Sequence, residues 1–283
     1  MNRATRRLAE AWLAEGRHAV VIEVVEASGS VPRGAGTRML VDAHSSGGTI
    51  GGGHLEWSAI DVARGMLSSG ESSRDARYAL GPSLGQCCGG AVTLHWTRLD
   101  ASALARWPEQ RPLFELQMYG AGHVGQAIAR LLAGIDCEVE WIDEREAMFP
   151  PFRLRTDAGS TDEWLPNAPT PDDWPTHIDL VAVDAVEAEV ARAGPGAHYL
   201  VLTHSHDLDM RITEAILRRG DFAYLGLIGS KTKRARFAHR FEAIGIAPGL
   251  IERITCPIGI EGVEGKEPEV IAVSVVAQLL QRR

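Results

Sequence analysis

The run Gly120-Ala121-Gly122-His123-Val124-Gly125 restricts the fold more than any other, because of what stands on either side of it. Phe114-Glu115-Leu116-Gln117-Met118-Tyr119 before it reads as a strand, and Gln126 to Leu132 after it reads as a helix. A second strand, Glu138-Val139-Glu140-Trp141-Ile142, ends at Asp143, an acid at about the twenty-residue distance suited to a ribose hydroxyl. A lone G-x-G-x-x-G says little. Between a strand and a helix, and followed by such an acid, it reads as a Rossmann unit. Gly120 makes the tight turn, Gly122 lets backbone reach a pyrophosphate at the helix N-terminus, and Gly125 lets the helix pack closely. Arg145, two residues past the acid, is either a partner for a 2′-phosphate or a solvated surface arginine. The sequence does not choose NADP over NAD.

Further strands are predicted at Ile178 to Val183, Tyr199 to Leu202 and Tyr224 to Ile228, with helices at about Asp209 to Arg219, Lys231 to Ile244 and Glu269 to Gln281. This alternation implies a mainly parallel sheet covered on both faces. The proline-rich stretch between Glu144 and Thr176 reads as irregular chain. Three loops then fall at carboxyl ends of strands, where an open α/β sheet places its ligand. Thr203-His204-Ser205-His206-Asp207 resembles a binuclear metal motif, but Leu208 stands where an acid is required and no histidine follows. Polar lining of a crevice by His204, His206 and Asp207 is therefore the better reading. Gly229-Ser230-Lys231, with Lys233, Arg234 and Arg236 behind it, suits a phosphate, or else is a helix capped by Ser230 with a solvated basic face. Cys256 sits in an apolar setting and reads as structural.

The first 110 residues are less regular. Leu8, Trp12 and Leu13 recur at helical spacing, His18 to Val25 turns strand-like, and Gly29-Ser30-Val31-Pro32-Arg33 is a loop that leads back to the short strand Met39-Leu40-Val41. Gly51-Gly52-Gly53 precedes a helix from about Leu55 through Met66; its amides either receive an anion or simply make a tight turn. It lacks the Gly-Lys-Ser/Thr ending of a P-loop, which disfavours a kinase or ATPase. Ser68 to Ser73 reads as a turn, Tyr78-Ala79-Leu80 and Ala91 to Trp96 as strands, and Asp100 to Pro112 as a linker or short helix. Two domains follow, 1–110 and 111–283. The fold class is α/β, an N-terminal α/β domain followed by a Rossmann-like domain with a mainly parallel sheet.

Composition narrows the partners. Acidic residues outnumber basic ones 37 to 29, a formal charge of -8, with no arginine-rich run to offset it, so nucleic acid is not an expected partner. No stretch approaches the ~18 apolar residues of a membrane span, and the opening residues lack the apolar core of a signal peptide. Four cysteines, two of them adjacent, do not make a disulfide framework, which fits a cytoplasmic protein.

That adjacent pair lies in Leu84-Gly85-Gln86-Cys87-Cys88-Gly89-Gly90. Neighbouring cysteines on extended backbone point to opposite faces, so one tetrahedral ion is poorly served. The flanking glycines permit unusual dihedrals and close approach of a bulky ligand, with Gln86 as an amide beside them. The pair is either a presented thiol or two small buried apolar side chains.

Gly85-Gln86-Cys87-Cys88-Gly89-Gly90 resembles the signature of the XdhC family, molybdenum-cofactor chaperones that serve xanthine dehydrogenase. Gly29 to Arg33, Gly48 to Glu56, Gly120 to Gly125, Thr203 to Asp207 and Gly229 to Lys231 resemble family segments in the family's order. Pro257 to Ile260 and Gly265 to Glu269 do so as well, but Glu261-Gly262-Val263-Glu264 between them is more acidic than the family pattern. The resemblance implies a protein that binds molybdenum cofactor (molybdopterin), protects it during sulfuration, and inserts it into the apo molybdenum-binding subunit of xanthine dehydrogenase. It implies sulfur supplied by a cysteine desulfurase, contact with the cofactor and its molybdenum through Gln86, Cys87 and Cys88, and no turnover chemistry of its own. It leaves room for a homodimer. A nucleotide or phosphate would meet Gly120, Gly122, Gly125, Asp143, Arg145, Gly229, Ser230 and Lys231. The alternative is an NAD(P)-dependent oxidoreductase with Lys231 or His204 as proton donor, which lacks a Tyr-x₃-Lys pair and leaves the cysteine loop unexplained.

Overall fold

A computed structural model describes residues 3–80, 89–108, 111–150, 154–156, 159–161 and 175–282. The chain divides into two compact units, Met1–Gln110 and Arg111–Arg283.

In the first unit, α1 (Arg3–Ala14) leads into β1 (Val20–Ser28), β2 (Arg38–Val41) and β3 (Ser46–Gly48), followed by α2 (Gly53–Ser69), β4 (Ser73–Ala79), β5 (Ala91–Arg98) and α3 (Ala101–Ala105). The strands form one antiparallel sheet in the order β3-β2-β1-β5-β4. The alternation of β1 divides its side chains between two layers. Val20, Ile22 and Val24 join Leu55, Ala59, Ala63 and Met66 of α2, while Val21 joins Ala9 and Trp12 of α1 with Leu104 and Trp107. Trp96 ties the first layer together, its indole Nε1 donating to the Ala59 carbonyl at 3.0 Å. The chain from Asp100 is a short helix capped by the Asp100 carboxylate, which accepts from the Ala103 amide. Strand β4 begins at Ser73, earlier than the predicted Tyr78, because it is an edge strand whose residues are mostly exposed and show no apolar alternation.

The second unit contains β6 (Glu115–Tyr119), α4 (His123–Leu132), β7 (Glu138–Asp143), β8 (Leu154–Thr156), β9 (Gly159–Thr161), β10 (Ile178–Ala182) and β11 (His198–Val201). It continues through α5 (His206–Arg219), β12 (Tyr224–Leu227), α6 (Lys231–Ala243), α7 (Pro248–Glu252), β13 (Ile254–Thr255) and α8 (Pro268–Gln281). The sheet order is β13-β12-β11-β6-β7-β10-β8-β9, parallel throughout except for the β8–β9 pair. Part of the predicted irregular stretch after Glu144 is thus strand. Segments of three residues are too short to show a period, and main-chain pairing to β10 holds β8 in the sheet.

Each face of this sheet carries a core of its own. Leu116, Met118 and Trp141 pack with Ile128 and Leu132 of α4 and Val275 and Leu279 of α8. Tyr119, Val201 and Leu225 pack on the other face with Ile212 and Ile216 of α5 and Phe237 and Phe241 of α6. The chain runs outward from β6 through β7 to the edge strands β8 and β9, fills in β10, then crosses back and runs the other way through β11, β12 and β13. The order therefore reverses between β6 and β11, the position at which an open α/β sheet leaves a crevice at its carboxyl edge.

Candidate functional site

Three loops of the first unit approach one another at one end of its sheet. Gly90 sits against the loop after β1: a β-carbon on it would lie 2.5 Å from the carbonyl oxygens of both Ser28 and Ser30. The Leu80 amide donates to the Gly90 carbonyl at 2.8 Å, closing the base of the β4–β5 connection. Gly51, at φ +127°, lies so close under Pro32 that a β-carbon would be 2.5 Å from its ring. Gln86, Cys87 and Cys88 belong to the β4–β5 connection but lie outside the described residues.

The predicted anion cradle at Gly51 to Gly53 holds an anion of the chain's own. Glu56, in the first turn of α2, accepts through Oε2 from the Gly52 amide at 3.0 Å, the Ile50 amide at 3.1 Å and the Thr49 hydroxyl at 2.5 Å. A carboxylate three residues into a helix reaches its N-terminal amides by ordinary capping geometry, which is why it gets there before any ligand.

In the second unit the three glycines of the β6–α4 turn have different reasons to be glycine. Gly120 is at φ +120°, and a β-carbon would overlap the Leu202 backbone. A β-carbon on Gly125 would overlap the Gly120 carbonyl, so helix and turn could not close. Gly122 has an ordinary φ of -70° and caps α4 with nothing near its missing β-carbon. Neither strain nor packing demands glycine there. The open space is what a ligand approaching the backbone requires.

Asp143, at the end of β7, is buried and fully engaged. Its Oδ2 accepts from the Ala121 amide at 2.6 Å and from Arg145 Nη2 at 2.8 Å; its Oδ1 accepts from Arg145 Nε and the Arg145 amide, both at 2.9 Å. Burial pushes its pKa up, but the hydrogen bonds from Arg145 and Ala121 outweigh this and hold it below the usual carboxylate range. Across the β6 turn, exposed His204 at the end of β11 places Nε2 3.5 Å from Glu144 Oε1, so the loops after β11 and β7 meet. His206 and Asp207 are exposed in the first turn of α5, whose cap is Ser205.

At the end of β12, Ser230 is the cap of α6, accepting from the Lys233 amide, and Lys231 is exposed. The basic helix is not basic on one solvated face, because Lys233 turns inward. Its Nζ donates to Asp209 Oδ2 at 2.5 Å and to the Ile228 carbonyl at 2.8 Å, and Asp209 accepts from the amide and hydroxyl of Thr203. Sequence reasoning missed this pair, though a signal was present: Lys233 shares the i, i+4, i+8 stripe of Phe237 and Phe241, and Asp209 adjoins the stripe of Leu208, Ile212 and Ile216. Gly229 lies directly over the Lys233 stem, where a β-carbon would be 2.5 Å from Cδ.

Both described cysteines, Cys137 and Cys256, are buried. Burial pushes the Cys256 thiol pKa up, against the pull of Lys233 and Arg234. Among the described residues no three His, Cys, Asp or Glu side chains are grouped to hold a metal ion, and no helix is long and apolar enough to cross a membrane.

Comparison with known proteins places this architecture. Residues 116–279 match the family model of the XdhC Rossmann domain, and residues 12–79 that of the XdhC and CoxI family. Among relatives in Escherichia coli (strain K12), "Uncharacterized protein YqeB" is 31% identical over 272 residues, which are 92% of this chain but 42% of that protein. The chain thus spans less than half of that relative's length. "Molybdenum cofactor insertion chaperone PaoD" of the same organism is 24% identical over an alignment covering 100% of this chain and 89% of that one. A crystal structure described as a xanthine dehydrogenase from Bacillus halodurans superposes with a TM-score of 0.73 at 18% identity, covering 98% of this chain and 95% of that one. At that identity the likeness establishes the fold.

Proposed function

The chain belongs to the XdhC family, and from that premise we propose that it is a molybdenum cofactor chaperone. It holds the cofactor as cargo, shelters it while a terminal sulfido ligand is installed, and inserts it into the molybdenum-binding subunit of an apo xanthine dehydrogenase. A cysteine desulfurase supplies the sulfur. The observation that carries this reading is the end-to-end likeness to the insertion chaperone PaoD.

The chain's own residues suit two tasks. Cys137 and Cys256 are buried, and burial raises the Cys256 pKa, so neither is a presented thiolate. That leaves Cys87 and Cys88, with Gln86 beside them, to meet the soft molybdenum centre or to accept sulfane sulfur. The loops of Gly29 to Arg33 and Gly51 to Gly53 stand beside the closed base of the connection that carries these residues. The second task is to hold phosphate. The space over Gly122 at the start of α4 suits a phosphate-bearing ligand, with Gly120, Gly125, Asp143 and Arg145 shaping the turn. Gly229, Ser230 and Lys231 contribute from the end of β12, with His204, His206 and Asp207 lining the crevice. The protein works in the cytoplasm, where its client is assembled.

The test is molybdenum retention. Cys87→Ala and Cys88→Ala lower the molybdenum that elemental analysis finds with the protein after gel filtration, and Cys137→Ala does not. Equal retention in all three removes the cysteine connection from the mechanism.

A further inference from the structure

We propose that Arg145 withdraws Asp143 from ribose recognition, so that the crevice at the carboxyl ends of β6 and β11 reads the phosphate of its ligand and not a ribose diol. This rests on reading that crevice as a phosphate site. An acid at the end of the second strand of a dinucleotide fold recognises ribose by accepting from its hydroxyls, which requires acceptor sites free and facing the ligand. A carboxylate offers about four such sites. Here four donors already fill them: the amides of Ala121 and Arg145, and Nε and Nη2 of the Arg145 guanidinium.

Exposure agrees. The Asp143 side chain is 3% exposed and that of Arg145 34%, so a ligand entering the crevice meets the guanidinium first. The side-on grip uses one edge of the guanidinium, and Nη1 has no hydrogen-bond partner among the described residues, leaving it for an anion. The neighbouring acid, Glu144, faces His204 Nε2 instead. Gly122 stays open beside this clasp, so room for a phosphate is kept while the ribose acceptor is lost. The ligand class is a phosphate or diphosphate ester whose affinity does not depend on ribose hydroxyls. By this account the Rossmann unit is not an NAD site.

Calorimetric titration of the full chain with NAD and with inorganic pyrophosphate tests it. Arg145→Ala frees the carboxylate, and hydrogen bonds to a charged acceptor tighten NAD binding by about tenfold or more over the unaltered protein. Arg145→Lys, which cannot grip side-on, gives a smaller gain, and adding Asp143→Asn to Arg145→Ala abolishes the gain. Pyrophosphate binding weakens in Arg145→Ala. The proposal is overturned if the unaltered protein binds NAD as tightly as Arg145→Ala, or if neither binds it, since a freed acid then reads nothing. The chaperone reading is judged separately by molybdenum retention, which the NAD comparison does not decide.

Discussion

Removing either member of the Lys233–Asp209 pair leaves the other charge inside the second unit without its partner. The two side chains are 8% and 2% exposed and their charged atoms lie 2.5 Å apart. A buried pair contributes little over an apolar isostere because desolvation cancels most of its attraction, but breaking it costs about 3–5 kcal/mol. For a folded unit of this size, about 2–4 °C accompanies each kcal/mol, so Asp209→Ala lowers Tm by about 6–20 °C. Asp209→Ala also strips the amide and hydroxyl of Thr203 of their acceptor. Lys233→Met leaves those two bonds intact, and it is therefore the milder change. The assay is a double-mutant cycle by urea and thermal unfolding followed by circular dichroism. The double variant, with neither charge, is expected to be less destabilised than the sum of the singles by more than about 1 kcal/mol. Additive singles, or a loss under about 1 kcal/mol for Asp209→Ala, would show that solvent reaches the pair and would refute the reasoning.

Other consequences follow from the same contacts. Gly120→Ala and Gly125→Ala, which drive a β-carbon into backbone, each destabilise the second unit by more than about 2 kcal/mol in denaturant titration, whereas Gly122→Val leaves stability within about 1 kcal/mol and weakens binding of a phosphate-bearing ligand. Glu56→Ala removes the acceptor from two amides and a hydroxyl and costs the first unit about 1–3 kcal/mol; Glu56→Gln, which keeps one oxygen, costs less in the same measurement. His198 packs between the rings of Phe114 and Tyr224, and burial lowers its pKa despite its hydrogen bond to the Arg282 carbonyl. Below the ordinary histidine value of about 6.5 the unfolded chain takes up this proton first, so stability is full above that pH and falls as pH drops through it. Tm measured from pH 7.5 to 5 should fall more steeply for the unaltered chain than for His198→Phe.

Where the turn chemistry is local, the sequence was explicit. A strand, Gly120-Ala121-Gly122, a helix and a strand ending in Asp143 can be read from neighbouring residues, because the positive φ at Gly120 and the absence of a side chain at Gly125 are needs of the turn itself. Strands β11 and β12 are buried at every residue because both their faces are covered, and β6, β7 and β10 are buried at most positions, so that burial is written into each segment. The first residues of β4, and β8 and β9 entirely, escaped for the opposite reason. An exposed edge strand or a three-residue one is held by main-chain pairing, which leaves no mark on side-chain pattern.

The order of the main strands and helices, the apolar residues they bury and the glycine at each strained turn are all written in the chain, since these depend on residues within a few positions of one another. The reversal of strand order between β6 and β11 belongs to long-range packing, because pairing partners such as Met118 and Leu200 are brought together by the crossover and not by proximity in the chain. Packing also decides which donor each acid meets. Asp143 ends a strand, and Glu56 and Asp209 lie in the first turns of helices, positions where an acid either waits for a ligand or is already held. The difference lies in whether a donor of the chain itself, Arg145, the Gly52 amide or Lys233, reaches the carboxylate first. In a low-dielectric interior an unmet charge is too costly to leave, so packing fills it from within.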